Sequence, residues 1–223
     1  MIVLDEVSLK KDGALVLAPC SMEIKAKERV VILGASGSGK TTLLRLIAGF
    51  VAPSDGRILL EGVCVSQAGE ILVAPRFRDV SMVFQDLALW PHMSVGENIA
   101  FALKMQKVDR KKQDEKVQEM LEMVSLSGYA KKRIFQLSGG EQQRVALARA
   151  LVLSPKIVLM DEPLSSLDKT LRAHLSQEIV RLQEKCGFTL LYVTHDEAEA
   201  AVIATKTILM EDMVYSLKNK GLS

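Results

Sequence analysis

The sequence predicts an α/β fold in which a mostly parallel sheet is interrupted by a helical insertion. Strand-like apolar segments alternate with helical segments in the first and last thirds of the 223-residue chain, as in parallel sheets with right-handed crossovers. The middle of the chain, about residues 95–152, is instead helical and strongly charged. With 48% hydrophobic and 25% charged residues, the composition is that of a globular protein. We expect a single domain over residues 1–223, with the helical subdomain inside it.

The first third predicts several strands followed by a helix. Turn residues such as Asp12-Gly13 and Glu61-Gly62 separate short apolar segments, which indicate strands at residues 2–4, 15–17, 28–33 and 57–60. A helix is predicted over residues 41–48, because Gly49 follows the last apolar position.

Helical periodicity dominates the middle of the chain, and alternation returns in the last third. Two apolar stripes at helical spacing predict helices: Val117, Met120, Leu121 and Val124, and then Leu171, Leu175, Ile179 and Leu182. Short apolar runs at residues 81–84, 156–160 and 188–193 predict strands.

Charge, cysteines and hydropathy exclude several classes of protein. The net charge of +2, from 29 basic and 27 acidic residues, is too small to indicate nucleic-acid binding by itself. No uncharged run is long enough to span a bilayer, which takes about 18 apolar residues. Asp5 and Glu6 argue against a signal peptide. The three separated cysteines predict reduced thiols in a cytosolic compartment.

A phosphate-binding loop is the strongest motif. Gly34-Ala35-Ser36-Gly37-Ser38-Gly39-Lys40-Thr41 matches G-x-x-x-x-G-K-[ST] between a predicted strand and a predicted helix. Glycines let backbone amides surround phosphate oxygens, and the helix N-terminus adds positive potential. We expect Lys40 to reach the β and γ phosphates, the Thr41 hydroxyl to hold Mg²⁺, and Thr42 to join the nucleotide-binding residues.

Two adjacent carboxylates end the strand at residues 156–160. Ligands of parallel sheets bind at the carboxyl ends of strands, so Asp161 and Glu162 are expected beside the phosphate loop. Asp161 is the candidate Mg²⁺ ligand, and Glu162 is the candidate general base for the attacking water.

A second glycine-containing helix start points to a second phosphate contact. Leu137-Ser138-Gly139-Gly140-Glu141-Gln142 contains a capping box, in which Ser138 caps the helix and Glu141 lies three residues later. A cap alone does not require the two glycines, which permit close approach of a phosphate. One chain rarely needs two such sites for one nucleotide, so the second is expected to serve the ATP of a partner.

This segment resembles the signature sequence of ATP-binding-cassette (ABC) ATPases. Three further motifs match the family in their order along the chain: Gln85 matches its Q-loop, Ser166-Leu167-Asp168 its D-loop and His195 its switch histidine. Together with the phosphate loop and the paired carboxylates, they make six ordered motifs over essentially the whole chain. The resemblance implies a P-loop NTPase core, an N-terminal antiparallel β-subdomain and the helical insertion. It also implies a head-to-tail dimer, with two ATP molecules at the interface.

The resemblance implies a role for each matching residue. Glu162, His195, Gln85 and Lys40 would be catalytic, and Thr41, Gln85 and Asp161 would hold the Mg²⁺ that accompanies ATP. Each nucleotide would contact residues 34–42 of one protomer and four signature residues of the other: Ser138, Gly139, Gly140 and Glu141. Asp168 would organise the site across the interface.

Two segments resemble import ATPases in particular. Residues 84–99 are similar to subunits that power uptake of sugars, polyamines, iron(III) or oxyanions, and residues 194–200 resemble their switch region. The resemblance implies transmembrane permease subunits, an extracytoplasmic solute-binding protein, and a peripheral location at the cytoplasmic face of the membrane. An apolar cluster could line the groove for a permease helix, or could be ordinary core: Leu87, Leu89, Trp90 and Met93.

Three departures from the family pattern are visible. No aromatic residue precedes Phe50, although the family usually stacks one on adenine near Lys11, so we expect weaker ATP binding or an aliphatic substitute, Leu15 or Val16. Residues 211–213 stand where a glycine turn is common in the last hairpin. The sequence stops at Ser223, from which we expect no C-terminal regulatory domain.

Alternative functions remain within and beyond the family. A soluble ABC ATPase acting on nucleic acid or ribosomes would carry a long insertion, a zinc site or two cassettes, and the sequence has none of these. An exporter or lipoprotein-release ATPase is a further alternative. A small-molecule P-loop kinase would not need residues 137–142. We expect no nucleic-acid partner.

Overall fold

A computed structural model describes residues 1–215 and contains two five-stranded sheets. The first is antiparallel, with strand order β2-β1-β4-β5-β6. Its strands are β1 (Ile2–Lys11), β2 (Ala14–Ile24), β4 (Asp55–Leu60), β5 (Val63–Gln67) and β6 (Glu70–Ile71). The antiparallel β-subdomain expected from the resemblance is confirmed.

The second sheet is parallel and carries the α/β core. Its order is β10-β3-β9-β8-β7. The strands are β3 (Arg29–Leu33), β7 (Val80–Val83), β8 (Ile157–Asp161), β9 (Thr189–Thr194) and β10 (Lys206–Leu209). Every residue of β8 and β9 is buried, as expected for the centre of a parallel sheet covered on both faces.

Helices connect and cover these strands. The seven α-helices of the described chain are α1 (Lys40–Ala48), α2 (Val95–Met105), α3 (Arg110–Met123), α4 (Gly139–Leu151), α5 (Lys169–Cys186), α6 (Glu197–Ile203) and α7 (Met210–Tyr215). Capping boxes start α2 and α4, and left-handed glycines end α1 and α5. Helices α2, α3 and α4 form the predicted helical insertion.

The parallel strands divide the apolar interior into two cores. In β8, Val158 and Met160 pack into the core shared with the helical insertion and α5. Their neighbours Ile157 and Leu159 pack into the core shared with α1 and the antiparallel sheet. This alternation follows from the twofold period of a strand, and it fixes the sheet between two layers.

The structure differs from the sequence prediction in the lengths of the first two strands and in three strands that were not predicted, β5, β6 and β10. Strands β1 and β2 continue well beyond residues 2–4 and 15–17, because bulges interrupt their register without ending the pairing. Residues 211–213, which stand in place of the family's glycine turn, lie in the helix α7. Residues 216–223 lie outside the described part. Among the described helices, none combines the length and the apolar character that crossing a membrane requires.

Candidate active site

The candidate site lies where four adjacent parallel strands end. Strand β3 leads into the loop that begins at Gly34, and β7 leads to Gln85. Strand β8 ends at Asp161 and is followed by Glu162, whereas β9 is followed by His195. Because these strands are parallel neighbours, the side chains that follow them share one edge of the sheet.

The loop between β3 and α1 has the backbone of a phosphate cradle. Gly37 and Gly39 have φ values of 81° and 100°, in the left-handed region that favours glycine. A Cβ on Gly39 would also lie 3.2 Å from Leu17 Cδ1, so the loop packs closely against β2. Ser38 Oγ is buried without a hydrogen-bond partner in the described structure. An unpaired buried hydroxyl in this loop is consistent with a polar ligand there.

Lys40 is the buried cation of the loop. Its side chain is 4% exposed, and Nζ lies 3.5 Å from Glu162 Oε1. Nζ also donates hydrogen bonds to the carbonyl oxygens of Gly34, at 2.7 Å, and Ala35, at 2.8 Å. The ammonium group therefore connects the phosphate loop to the end of β8.

Thr41 and Asp161 form a pair of oxygen donors beside Lys40. The Thr41 hydroxyl donates a hydrogen bond of 2.9 Å to Asp161 Oδ1. Burial raises the pKa of Asp161, and the nearby charge of Glu162 raises it further, while the Thr41 hydrogen bond, Arg45 and Lys40 oppose the shift. A hydroxyl and a buried carboxylate suit a hard cation such as Mg²⁺, which prefers oxygen ligands and usually keeps phosphate or water ligands too.

Glu162 and His195 form the second pair. His195 Nδ1 lies 2.9 Å from Glu162 Oε2, with side-chain exposures of 57% and 16%. Glu162 has a left-handed φ of 43°, which is uncommon for a residue with a Cβ. Its backbone N–H donates to Val193 O at 3.0 Å. The carboxylate thus faces both the histidine and Lys40.

The segment around Gln85 is held by an arginine that sequence reasoning missed. Gln85 is exposed, and Leu87 and Ala88, which follow Asp86, have left-handed φ values of 59° and 44°. Arg149 of α4 donates hydrogen bonds of 2.6 Å to both of their carbonyl oxygens. Its guanidinium also lies 5.0 Å from the Trp90 ring centroid. No motif marks Arg149, because its partners are main-chain atoms about sixty residues away.

The apolar cluster after Gln85 is partly core. Leu87 and Leu89 pack against the core of the helical insertion. The Trp90 ring lies 4.4 Å from that of Phe101, centroid to centroid. Packing therefore accounts for part of the cluster, while Trp90 and Met93 remain only half-buried.

The predicted signature residues lie apart from the phosphate loop. Ser138 Oγ accepts from the Glu141 N–H at 3.3 Å, and Glu141 Oε2 accepts from the Ser138 N–H at 2.8 Å. Ser138 and Gly139 are exposed at the start of α4. Within residues 1–215, no hydrogen bond or ion pair joins this segment to residues 34–41. Asp168 is also exposed and caps α5 by accepting from two amides.

The aliphatic candidates for adenine contact border the loop. Leu15 and Val16 are 56% and 40% exposed. The Val16 carbonyl oxygen is 3.5 Å from the position of a Cβ on Gly39. The backbone of the first hairpin therefore borders the start of α1, and the hairpin carries two exposed apolar side chains.

Fold and site together define a P-loop nucleotide-binding domain, and comparison with known proteins identifies its family. The family described as "ABC transporter" matches residues 17–165. An iron(III) import ATP-binding protein, FbpC of Pasteurella multocida, is 45% identical over 94% of this chain and 58% of its own length. A spermidine/putrescine import ATP-binding protein, PotA of Acetivibrio thermocellus, is 44% identical over 98% of this chain and 60% of its own.

Solved structures of related proteins have a fold similar to that of this chain. CbiO1 of Clostridium perfringens, part of the ABC transporter complex CbiONQ, has a TM-score of 0.84 at 28% identity, covering 93% of this chain and 83% of its own. The ATP-binding cassette MJ0796, in a dimeric post-hydrolysis state bound to ADP and Pi, has a TM-score of 0.78 at 31% identity, covering 94% of both chains. The chain belongs to the ABC transporter family, as its motifs predicted. It spans about three fifths of the length of the curated relatives it matches.

Proposed function

We propose that this chain binds and hydrolyses ATP as a subunit of an ABC importer. The observation that carries the proposal is the meeting of Lys40, the Thr41–Asp161 pair and the Glu162–His195 pair at one edge of the parallel sheet. The curated relatives described above are named as import ATP-binding proteins, which favours import over export.

Catalysis in this proposal is positioning and electrostatic stabilisation. The amides of residues 34–41 bind the phosphates, and Lys40 directs its ammonium to the β and γ phosphates. Glu162 accepts a proton from the attacking water, while His195 orients this carboxylate and contacts the γ-phosphate. Gln85 senses the γ-phosphate from the neighbouring strand end.

Mg²⁺ is the proposed cofactor. Thr41 and Asp161 would hold it, with Gln85 at the adjacent strand end, and it would neutralise charge on the phosphates. The hydrogen bond between Thr41 and Asp161 supports this choice, because it already holds two oxygen ligands next to each other.

A head-to-tail dimer, most simply a homodimer, completes the site. Ser138, Gly139, Gly140 and Glu141 present a helix N-terminus that can bind phosphate, and they have no bond to the chain's own phosphate loop in the described structure. A second copy would bring them to the nucleotide, with Asp168 at the interface. Dimerisation of the related cassette MJ0796 supports this arrangement.

The remaining partners follow from the import proposal. Separate transmembrane permease subunits would receive the motion of the dimer, and an extracytoplasmic protein would deliver the solute. The chain would then lie at the cytoplasmic face of the membrane.

Two measurements test the proposal. ATPase activity of the purified chain should rise more than linearly with protein concentration, because closure of two protomers assembles each site; strict proportionality down to dilute protein contradicts the dimer. Tagged Glu162→Gln chain, expressed in its native host and solubilised with Mg-ATP, should co-purify with a multi-spanning permease in stoichiometric amount. Ribosomal or DNA-associated proteins without a membrane protein would instead favour the soluble alternative.

A further inference from the structure

Arg172, in the first turn of α5, contacts two loops of the candidate site. One terminal nitrogen, Nη2, donates to the carbonyl oxygens of Leu167, at 2.8 Å, and Ser165, at 3.4 Å. The other, Nη1, donates to Asp196 Oδ2, in the residue after His195. One planar guanidinium therefore joins the loop that follows Glu162 to the loop that carries His195.

The carboxylates around Arg172 are themselves fixed. Asp196 caps α6, because its Oδ1 accepts from the N–H groups of Ala198 and Glu199. Glu199 Oε1 lies 3.5 Å from Arg172 Nε, and the Glu199 side chain is only 2% exposed. The Tyr192 hydroxyl donates to Glu199 Oε2 at 2.6 Å from within β9. Arg172 is thus anchored to β9 and α6 as well as to the two loops.

A lysine could not make the same contacts. Arginine offers five N–H donors in a fixed plane, whereas lysine is a single point charge on a flexible stem. The contacts of Arg172 run in three directions: to main-chain carbonyls, to Asp196 and to Glu199. Its Nε is buried and has no hydrogen bond of its own in the described structure, so Glu199 holds it by charge rather than by a hydrogen bond.

We propose that Arg172 is a positioning residue that keeps the loop of residues 162–168 and the loop containing His195 in one fixed relative placement. This inference rests on the proposed ATPase function. Without Arg172, Glu162 would keep its own bonds to Val193 and His195. The segment of residues 165–168 would lose its tie to Asp196, and the proton-accepting carboxylate would lose part of its orientation. Asp168, at the end of the same loop, would lose its orientation toward the partner protomer.

The test compares Arg172→Gln and Arg172→Lys with Arg181→Gln in the full chain. Arg181 lies on the same helix, is 57% exposed and contacts Glu178, so it controls for general loss of a helix arginine. For both Arg172 variants, kcat should fall roughly 10- to 100-fold, the cost expected when catalytic groups are misplaced. The Kd for ATP should stay within about twofold, because no P-loop group is touched.

Hydrogen–deuterium exchange supplies a readout that does not depend on activity. In the Arg172 variants, amides in both segments, 164–168 and 195–199, should exchange faster, while those in Arg181→Gln stay as in the wild type. Unchanged exchange, or a change in one segment only, overturns the proposal. An equal loss of ATP affinity and kcat also overturns it, since that would indicate general disruption of the site.

A double variant keeps the test decisive if Arg172→Gln folds poorly. Asp196→Asn retains Oδ1 as the cap of α6 but removes the charge that Arg172 binds. Combined with Arg172→Lys, it should lower kcat no further than either single change, because both break one network. If the two decreases in kcat multiply in the double variant, Arg172 and Asp196 act independently, and the shared network is refuted. If the wild type itself fails to hydrolyse ATP, the proposed function fails, and the exchange comparison still decides this inference.

Discussion

His195 Nδ1 and Glu162 Oε2 lie 2.9 Å apart and join the ends of two neighbouring strands, β8 and β9. The pair sits on backbone that is itself fixed, because Glu162 continues the hydrogen bonding between these strands. Histidine therefore meets the carboxylate without any rearrangement of the sheet. The positions of these two side chains, and of the residues that hold them, lead to results that can be measured.

Glu162→Gln should abolish turnover while preserving ATP binding. The amide cannot accept a proton, so kcat should fall about 100- to 10,000-fold, the usual range for loss of a general base. The ATP-bound dimer should then accumulate, which size-exclusion chromatography with Mg-ATP measures. Glu119→Gln, an exposed change on α3, is the control and should behave as wild type. A Glu162→Gln chain that hydrolyses ATP normally would remove Glu162 from the proposed mechanism.

Asp161→Asn should stabilise the chain without nucleotide or divalent cation at neutral pH. Burial raises the pKa of Asp161 in the folded chain, so its ionisation opposes folding. The stability that Asp161 contributes at low pH is lost as the pH rises through its folded pKa. We expect a gain of about 0.5–2 kcal/mol in the free energy of unfolding at pH 7.5, from urea titrations.

The gain from Asp161→Asn should shrink toward pH 4, where the wild-type carboxyl group is increasingly protonated. Asp114→Asn is the matched control, because Asp114 is exposed on α3 and forms only a surface ion pair with Arg110. A gain of equal size at both pH values would contradict burial of the charge as its cause.

Lys11→Tyr should tighten ATP binding. Lys11 is exposed at the end of β1, paired with Ala14 across the first hairpin, and this hairpin borders the phosphate loop. An aromatic ring stacked on adenine adds about 1–3 kcal/mol, so Kd should fall at least about fivefold by isothermal titration. Lys10→Tyr, one position earlier on β1, is the control, because successive strand residues point to opposite faces.

Val16→Ala probes the same contact from the other strand, because Ala14, two positions before Val16, is the partner of Lys11, whereas Leu15 is the partner of Lys10. If the aliphatic side chain replaces the aromatic one, this variant should weaken ATP binding and leave kcat at saturating ATP unchanged. Unaltered affinity in both Lys11→Tyr and Val16→Ala would exclude this hairpin from adenine recognition.

Arg78→Met should destabilise the whole chain. Arg78 is 6% exposed and bonds five acceptors from three parts of the fold: Val73 O, Leu46 O, Ile47 O, Val65 O and Ser66 Oγ. Methionine removes all five bonds in the interior, and backbone N–H groups still donate to Leu46 O and Val65 O. The loss of the others should cost about 3 kcal/mol or more. Thermal unfolding measures the loss. Arg76 is an exposed neighbour whose guanidinium lies over the Phe77 ring, so Arg76→Met should change stability little, and equal losses would argue against this explanation.

The site was largely predictable from the sequence because its residues follow apolar strands directly. The run from Lys156 to Glu162 and the loop from Gly34 to Thr41 carry both their secondary structure and their chemistry in adjacent positions. Parallel pairing then brings them together without further information. Gln85 and His195 follow the same rule.

The arginine side chains that hold the loops of the site and the surrounding fold in place were not predictable in this way. Arg78, Arg149 and Arg172 act on main-chain carbonyl oxygens or on carboxylates that are distant in sequence, and any residue type can supply a carbonyl. The lengths of β1 and β2 were missed for a related reason. Bulges displace the alternation of apolar residues, while the hydrogen bonding between the strands continues.

The left-handed turn at Glu162 separates two carboxylates that are consecutive in the chain. Asp161 is the last residue of β8 and faces Thr41, whereas Glu162 turns toward His195 and Lys40. The two charges still interact, because the charge of Glu162 raises the pKa of Asp161. Two consecutive carboxylates at this strand end therefore serve different partners: one accepts a hydrogen bond from the hydroxyl of α1, and the other faces the histidine and Lys40.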